Sequence, residues 1–130
     1  MTGIFEWAFF LALFQIKHYL ADFRFQTGWM VMNKGRYGHP SGLIHAALHS
    51  ALSVPIFLWA GLSVWQCLTL GAAELVLHYH IDWGKARIVR LQGIDETDPR
   101  FWRYLGLDQA LHQMTYLGFF ALVASALQTD

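Results

Sequence analysis

The chain has 130 residues, and its nine Lys or Arg residues balance nine Asp or Glu residues, so the formal net charge is zero. Apolar residues make up 55% of it and charged residues 14%, with a mean hydropathy of +0.33. A soluble domain needs more charge to cover its surface, and a nucleic-acid partner needs a basic patch. The composition therefore predicts a single membrane domain without nucleic-acid binding, and the lone Cys67 excludes an internal disulfide.

Four apolar segments follow one another, and each approaches the roughly 20 residues that cross a bilayer as a helix. They lie at 4–22, 42–62, 63–82 and 104–127. We therefore expect an all-α, polytopic membrane protein in which residues 1–130 form one bundle of four transmembrane helices. The alternative is a soluble four-helix bundle, which is disfavoured because the outward faces of these segments are apolar too.

The two longer connections carry most of the positive charge. These residues are Arg24, Lys34 and Arg36 in 23–41, and Lys85, Arg87, Arg90, Arg100 and Arg103 in 83–103. Lys and Arg are enriched in cytoplasmic loops, so both connections are expected in the cytoplasm and both termini outside, with the protein in the inner (plasma) membrane. Short helices lying at the membrane interface are predicted within these loops, at 26–34 and 83–91.

Each predicted span carries ionisable side chains four residues apart near one end. They are His18 and Asp22, His45 and His49, Glu74, His78 and Asp82, and Asp108 and His112. A spacing of four places side chains on one face of a helix. The predicted topology brings all of them to the same depth, close to the cytoplasmic face. Ionisable groups inside a membrane are costly and usually mark a functional site.

Imidazole and carboxylate groups collected in this way suit Zn, Mn or Fe. We expect two divalent ions, because eight ligands are too many for one. The predicted ligands are His18, Asp22, His45, His49, His78, Asp82, Asp108 and His112. Catalytic roles are expected for Glu74 and Asp108, and Gln26 and Gln109 are expected to hydrogen-bond the ligands. The alternative is a metal-free cluster of interhelical hydrogen bonds.

Three linked motifs carry a resemblance. They are HYLADFRFQTGWM at 18–30, His78-x-x-x-Asp82-Trp83, and Leu107-Asp108-Gln109-Ala110-x-His112. With Ile44-His45-Ala46, they resemble an uncharacterised family of small bacterial and phage-encoded integral membrane proteins. The resemblance implies the membrane fold and the motif residues, but no activity. The chain is also similar in style to small membrane-bound proteins described as metal-dependent hydrolases, which is an analogy.

The leading functional interpretation is a metal-dependent hydrolase that acts on a lipid or lipid-linked substrate at the membrane surface. The basic loop residues either hold an anionic headgroup or only set the topology. One alternative is a di-iron oxidase or hydroxylase, and another is a transporter for a metal ion or protons. The fourth possibility is a structural subunit in which the cluster only stabilises the helix bundle. The sequence leaves homo-oligomer formation open.

Overall fold

The structure is a computed structural model that describes residues 3–128, and all regular structure within them is helical. The elements are α1 (Ile4–Tyr19), a π-helical turn (Leu20–Phe25), α2 (Gly28–Asn33), α3 (Pro40–Trp59), α4 (Val64–Leu91) and α5 (Pro99–Ala126). The expected all-α class is confirmed. The short helix expected at 26–34 corresponds to α2.

Helices α3 and α4 are joined by a tight turn because a glycine ends α3. Gly61 has a φ of 99°, which favours glycine, and the Leu62 N–H donates to the Phe57 carbonyl at 3.2 Å. Ser63 then caps α4, since its hydroxyl accepts from the Gln66 N–H and the Gln66 side chain accepts from the Ser63 N–H. The two helices therefore run antiparallel as neighbours.

Helix α4 is longer than the predicted span 63–82. The separate interfacial helix expected at 83–91 is wrong, because these residues continue α4 without a break. Charge begins at this point of the sequence, but charge does not end a helix. The stop signal is Gly93, with a φ of 61°, after which the Ile94 N–H bonds back to the Val89 carbonyl at 3.0 Å.

Helix α5 also begins before its predicted span 104–127. Asp98 is its N-cap and accepts from the Arg100 N–H at 2.8 Å, and Pro99 occupies the first helical position, where its missing N–H is no loss. Hydrogen bonds from the Arg100 guanidinium and backbone hold the pKa of Asp98 below its usual range. The acidic stretch before α5 therefore starts a helix as well as forming a turn.

The interior of the bundle has an apolar half and a polar half. The apolar half consists of Phe10, Phe14, Ile56, Phe57, Ala60, Leu62, Cys67, Tyr116, Phe119 and Val123. Its aromatic rings are in direct contact, with the centroids of Phe14 and Tyr116 5.0 Å apart. The polar half holds the ionisable side chains and lies toward the connections at residues 26–39 and 92–98.

One helix among the described residues, α3, is long and apolar enough to cross a membrane by length and composition, with a mean hydropathy of 1.4 over its best window. Helix α1 has 16 residues, while α4 and α5 carry ionisable side chains that lower their hydropathy. The predicted set of four spans is therefore not confirmed. A single helix of this kind also occurs in the cores of soluble proteins.

Candidate metal centre

The structure brings all eight predicted ligands into the polar half of the bundle. Each of them is buried, with Asp22 the most exposed at 9% and both His45 and His49 at 0%. Asp22 lies in the π-helical turn, a feature that often occurs at functional sites. Because α1 and α4 approach this end as α3 and α5 leave it, the pairs spaced by four residues meet at one level.

The carboxylate of Asp22 faces histidines on two sides. Its Oδ1 lies 2.9 Å from His45 Nε2 and 3.1 Å from His49 Nε2. Its Oδ2 lies 3.1 Å from His18 Nε2. Both oxygens of Asp22 therefore face imidazole nitrogens, and its carboxylate would be a ligand of a metal ion bound here.

The carboxylate of Asp82 stands in a similar position. Its Oδ2 lies 3.3 Å from His45 Nε2 and 3.4 Å from His78 Nε2, and its Oδ1 lies 3.9 Å from His112 Nε2. The same Oδ2 forms an ion pair with the Lys34 ammonium at 2.7 Å. Lys34 comes from the connection after α2, so this loop residue contacts the cluster directly.

Several of these close atoms have no hydrogen-bond partner. They are the Nε2 atoms of His45, His78 and His112, all buried. Neighbouring ligands on one tetrahedral or octahedral Zn ion lie about 2.9–3.4 Å apart, given bonds of about 2.0–2.1 Å. Buried imidazole nitrogens and carboxylate oxygens at this separation also have the arrangement expected around a shared cation.

The ligand atoms form two overlapping groups. Asp22, His45, His49 and His78 make up the first, and His78, Asp82 and His112 the second; within each, the ligand atoms lie within 4.8 Å of one another. The rings of His49 and His78 are stacked with centroids 3.7 Å apart. Either group can hold one metal ion.

Partners outside the two groups orient some of the imidazoles. The His112 Nδ1–H donates to the Asp108 carbonyl at 2.9 Å, which leaves Nε2 free to bind a metal. The Tyr116 hydroxyl contacts His18 Nδ1 at 2.8 Å. Gln109 contacts two of the predicted ligands, since its Oε1 lies 3.0 Å from His18 Nε2 and its amide donates to Asp108 Oδ2 at 3.1 Å.

Five predicted residues lie outside the two groups: His18, Asp108, Gln26, Gln109 and Glu74. Asp108 is 5% exposed, and its Oδ1 has no hydrogen-bond partner. Gln26 hydrogen-bonds the backbone of Asp22, to whose carbonyl its amide donates at 3.0 Å. Glu74 lies in neither group, because its carboxylate forms a buried ion pair with Lys17.

The pairing of Lys17 was missed by sequence reasoning. The Lys17 ammonium also donates to the His49 carbonyl at 3.2 Å and lies 4.9 Å from the centroid of the Tyr116 ring. The sequence signal for this pairing was the position of Lys17, which directly precedes His18 at the end of the first predicted span. The ion pair between Lys17 and Glu74 therefore lies at the boundary between the polar and apolar halves of the interior.

Two further histidines, His39 and His80, lie outside the cluster. His39 caps α3 by accepting from the Ser41 N–H at 3.2 Å. His80 is exposed, and its Nδ1–H donates to the Val76 carbonyl at 2.7 Å. Neither belongs to a group of metal-ligating atoms.

The fold and the site together define an all-helical protein with a buried His/Asp cluster that can hold metal ions. The chain belongs to the family described as Protein of unknown function (DUF3307), whose model matches residues 10–129 and so includes all eight predicted ligands. This agrees with the expectation of an uncharacterised family. No curated protein and no solved structure matches the chain.

Proposed function

We propose that this protein is a membrane-embedded, metal-dependent hydrolase whose active centre is the His/Asp cluster. The observation that carries the proposal is the convergence of buried His Nε2 atoms on two carboxylates, at 2.9 Å for His45 with Asp22 and at 3.3 and 3.4 Å for His45 and His78 with Asp82. Two divalent ions fit the arrangement, because Asp22 and Asp82 each face histidines with both oxygens. The mixed imidazole and carboxylate donors suit Zn, Mn or Fe.

The chemistry follows from the donor set. A bound ion of this kind lowers the pKa of a water molecule and polarises the oxygen of an ester. Asp108 is the best candidate for the proton acceptor, because it borders the ligand groups without belonging to them and its Oδ1 is unpaired. Glu74 is a poor candidate, since Lys17 already engages its carboxylate.

Large apolar side chains exposed on all four long helices support a membrane location. Examples are Phe5 at 87%, Trp65 at 80%, Met114 at 63% and Leu58 at 47% exposure. Soluble monomers rarely expose contiguous apolar patches of more than a few hundred Å². The proposal therefore keeps four spans in the inner membrane, with both termini outside and the loops at 23–41 and 83–103 in the cytoplasm.

Turnover tests the hydrolase proposal. Protein purified in mild detergent is loaded with Zn, Mn or Fe(II) and given carboxylic esters, phosphomonoesters and phosphodiesters in turn. We expect metal-dependent hydrolysis of at least one class, slowed by about 100-fold or more in Asp108→Asn with the metal retained. The matched control is Asp95→Asn, which changes an exposed carboxylate in the loop before α5.

Two outcomes would contradict this function. Full metal occupancy without turnover of any ester class would remove the hydrolase assignment and leave a metal-binding protein. Iron content with oxygen consumption would instead favour the oxidase alternative.

A further inference from the structure

Two cavities of different character adjoin at the His/Asp cluster. The first has a volume of about 120 Å³, and its polar lining includes Asp22, Asp82, Asp108, Lys34 and Lys85. The second has a volume of about 370 Å³ and lies between α4 and α5. Lys85 and Asp108 line both cavities, so these side chains lie at the border between them.

The charges of the first cavity suit an anion once metal is bound. Its three carboxylates outnumber its two ammonium groups, so two divalent ions would reverse the sign of its charge. Lysine is a compact point charge that commonly binds phosphate. Asp108 Oδ1 is buried without a hydrogen-bond partner, so the cavity also has a free acceptor for a proton.

The second cavity suits an apolar chain. Its lining includes the aliphatic side chains Leu77, Ile81, Ile88, Leu107 and Leu111, beside the polar His80 and Tyr104. Gly84 lines it as well, and a Cβ at this position would meet no atom within 4 Å, so the absence of a side chain keeps the groove open. On the proposed topology the groove lies at the cytoplasmic face of the membrane: Leu77 and Leu111 belong to the spans, whereas Gly84 and Ile88 belong to the cytoplasmic segment 83–103.

We propose that the substrate is a lipid phosphate monoester, an inference that rests on the proposed function. Its phosphate lies between the metal centre and the ammonium groups of Lys34 and Lys85, and its apolar chain lies in the groove at Gly84. In hydrolysis the water oxygen bonds to phosphorus and the bond between phosphorus and the lipid oxygen breaks. Asp108 takes a proton from the water and returns it to the leaving alcohol, and inorganic phosphate is released.

A comparison of hexyl phosphate with inorganic phosphate tests this inference. Both are titrated calorimetrically into the protein in detergent, with and without added metal. We expect hexyl phosphate to bind about tenfold or more tightly than phosphate, because several methylene groups become buried. Gly84→Leu should abolish this preference but not phosphate binding. Gly118→Leu is the matched control, since its Cβ also meets nothing within 4 Å and it lines neither cavity.

The lysines are tested in the same assay. Lys34→Met and Lys85→Met should each weaken the binding of both ligands by about tenfold, while the metal content by mass spectrometry stays at the wild-type level. Equal affinity for the two ligands would show that free phosphate is the ligand and would overturn the lipid assignment. Metal-loaded protein that binds neither ligand would overturn the inference and leave the metal centre standing. Protein without metal that binds both ligands as tightly as metal-loaded protein would show that the metal centre does not hold the phosphate, and would overturn the inference.

Discussion

At the scale of single residues, the buried ion pair between Lys17 and Glu74 separates the cluster from the apolar half of the interior. Their side chains are only 6% and 1% exposed. A buried charge that loses its partner is strongly unfavourable, whereas a pair replaced by apolar or neutral groups is often tolerated. The pair also connects the cluster to α3, because Lys17 donates to the His49 carbonyl.

We expect Lys17→Met and Glu74→Gln, made singly, to lower the free energy of unfolding by about 3–5 kcal/mol each. The double variant should recover much of that loss, because no uncompensated charge remains. Chemical denaturation in detergent micelles measures all three. Arg100→Gln, which removes the exposed ion pair with Asp98, serves as the control and should cause no measurable change. A double variant whose loss equals the sum of the two single losses would contradict this account of the ion pair.

The spacing of four residues selected the six side chains that form the two ligand groups, since helix periodicity decides which residues share a face, but it also selected His18 and Asp108, which lie outside those groups. It did not reveal the contacts of Lys34 with Asp82 or of Tyr116 with His18. These contacts depend on the rotation of each helix and on the path of the loop after α2. Neither is encoded in the spacing within one helix.

At the scale of the elements, small residues set the close approach of α3 and α4. The Ser50 hydroxyl donates to the Gly71 carbonyl at 2.8 Å. A Cβ on Gly71 would lie 3.0 Å from the hydroxyl oxygen of Ser50. Gly42 is similar, since its Cβ would lie 3.1 Å from the Tyr79 ring. Close helix contacts of this kind are typical of membrane bundles.

Gly71→Val is therefore expected to destabilise the protein by about 1–3 kcal/mol, because the added methyl groups force α3 and α4 apart. Denaturation in detergent measures the loss. Gly106→Val, in α5, adds the same side chain where a Cβ meets nothing within 4 Å, so it is the matched control. A Gly71→Val protein as stable as this control would show that the approach is not tightly packed.

The existence of four long helices followed from the apolar pattern, but their ends did not. Hydropathy decreases where charge begins at 83, whereas α4 continues until Gly93 supplies a left-handed backbone conformation. The π-helical turn at Leu20–Phe25 was also not predicted. Its one extra residue per turn has no sequence signature comparable to a glycine or a proline.

At the scale of the whole molecule, the proposed topology predicts which residues are accessible from outside the cell. In a Cys67→Ser background, Gln128→Cys should react with a membrane-impermeant maleimide in intact cells. Glu96→Cys should react only after permeabilisation, because it lies in the basic loop before α5. The two positions are exposed to a similar extent and so control for each other. Reaction of both in intact cells, or of Glu96→Cys alone, would contradict the orientation.

The metal content of the purified protein tests the central claim most directly. Wild type, Asp22→Asn and the exposed control Asp95→Asn are purified in mild detergent without chelator and analysed by mass spectrometry. We predict about two equivalents of Zn, Mn or Fe in wild type and Asp95→Asn. Asp22→Asn should retain less than about one equivalent, since Asp22 faces histidines with both oxygens. Folded wild-type protein that contains no metal, even after reconstitution with each ion, would contradict the account and favour a hydrogen-bonded polar cluster.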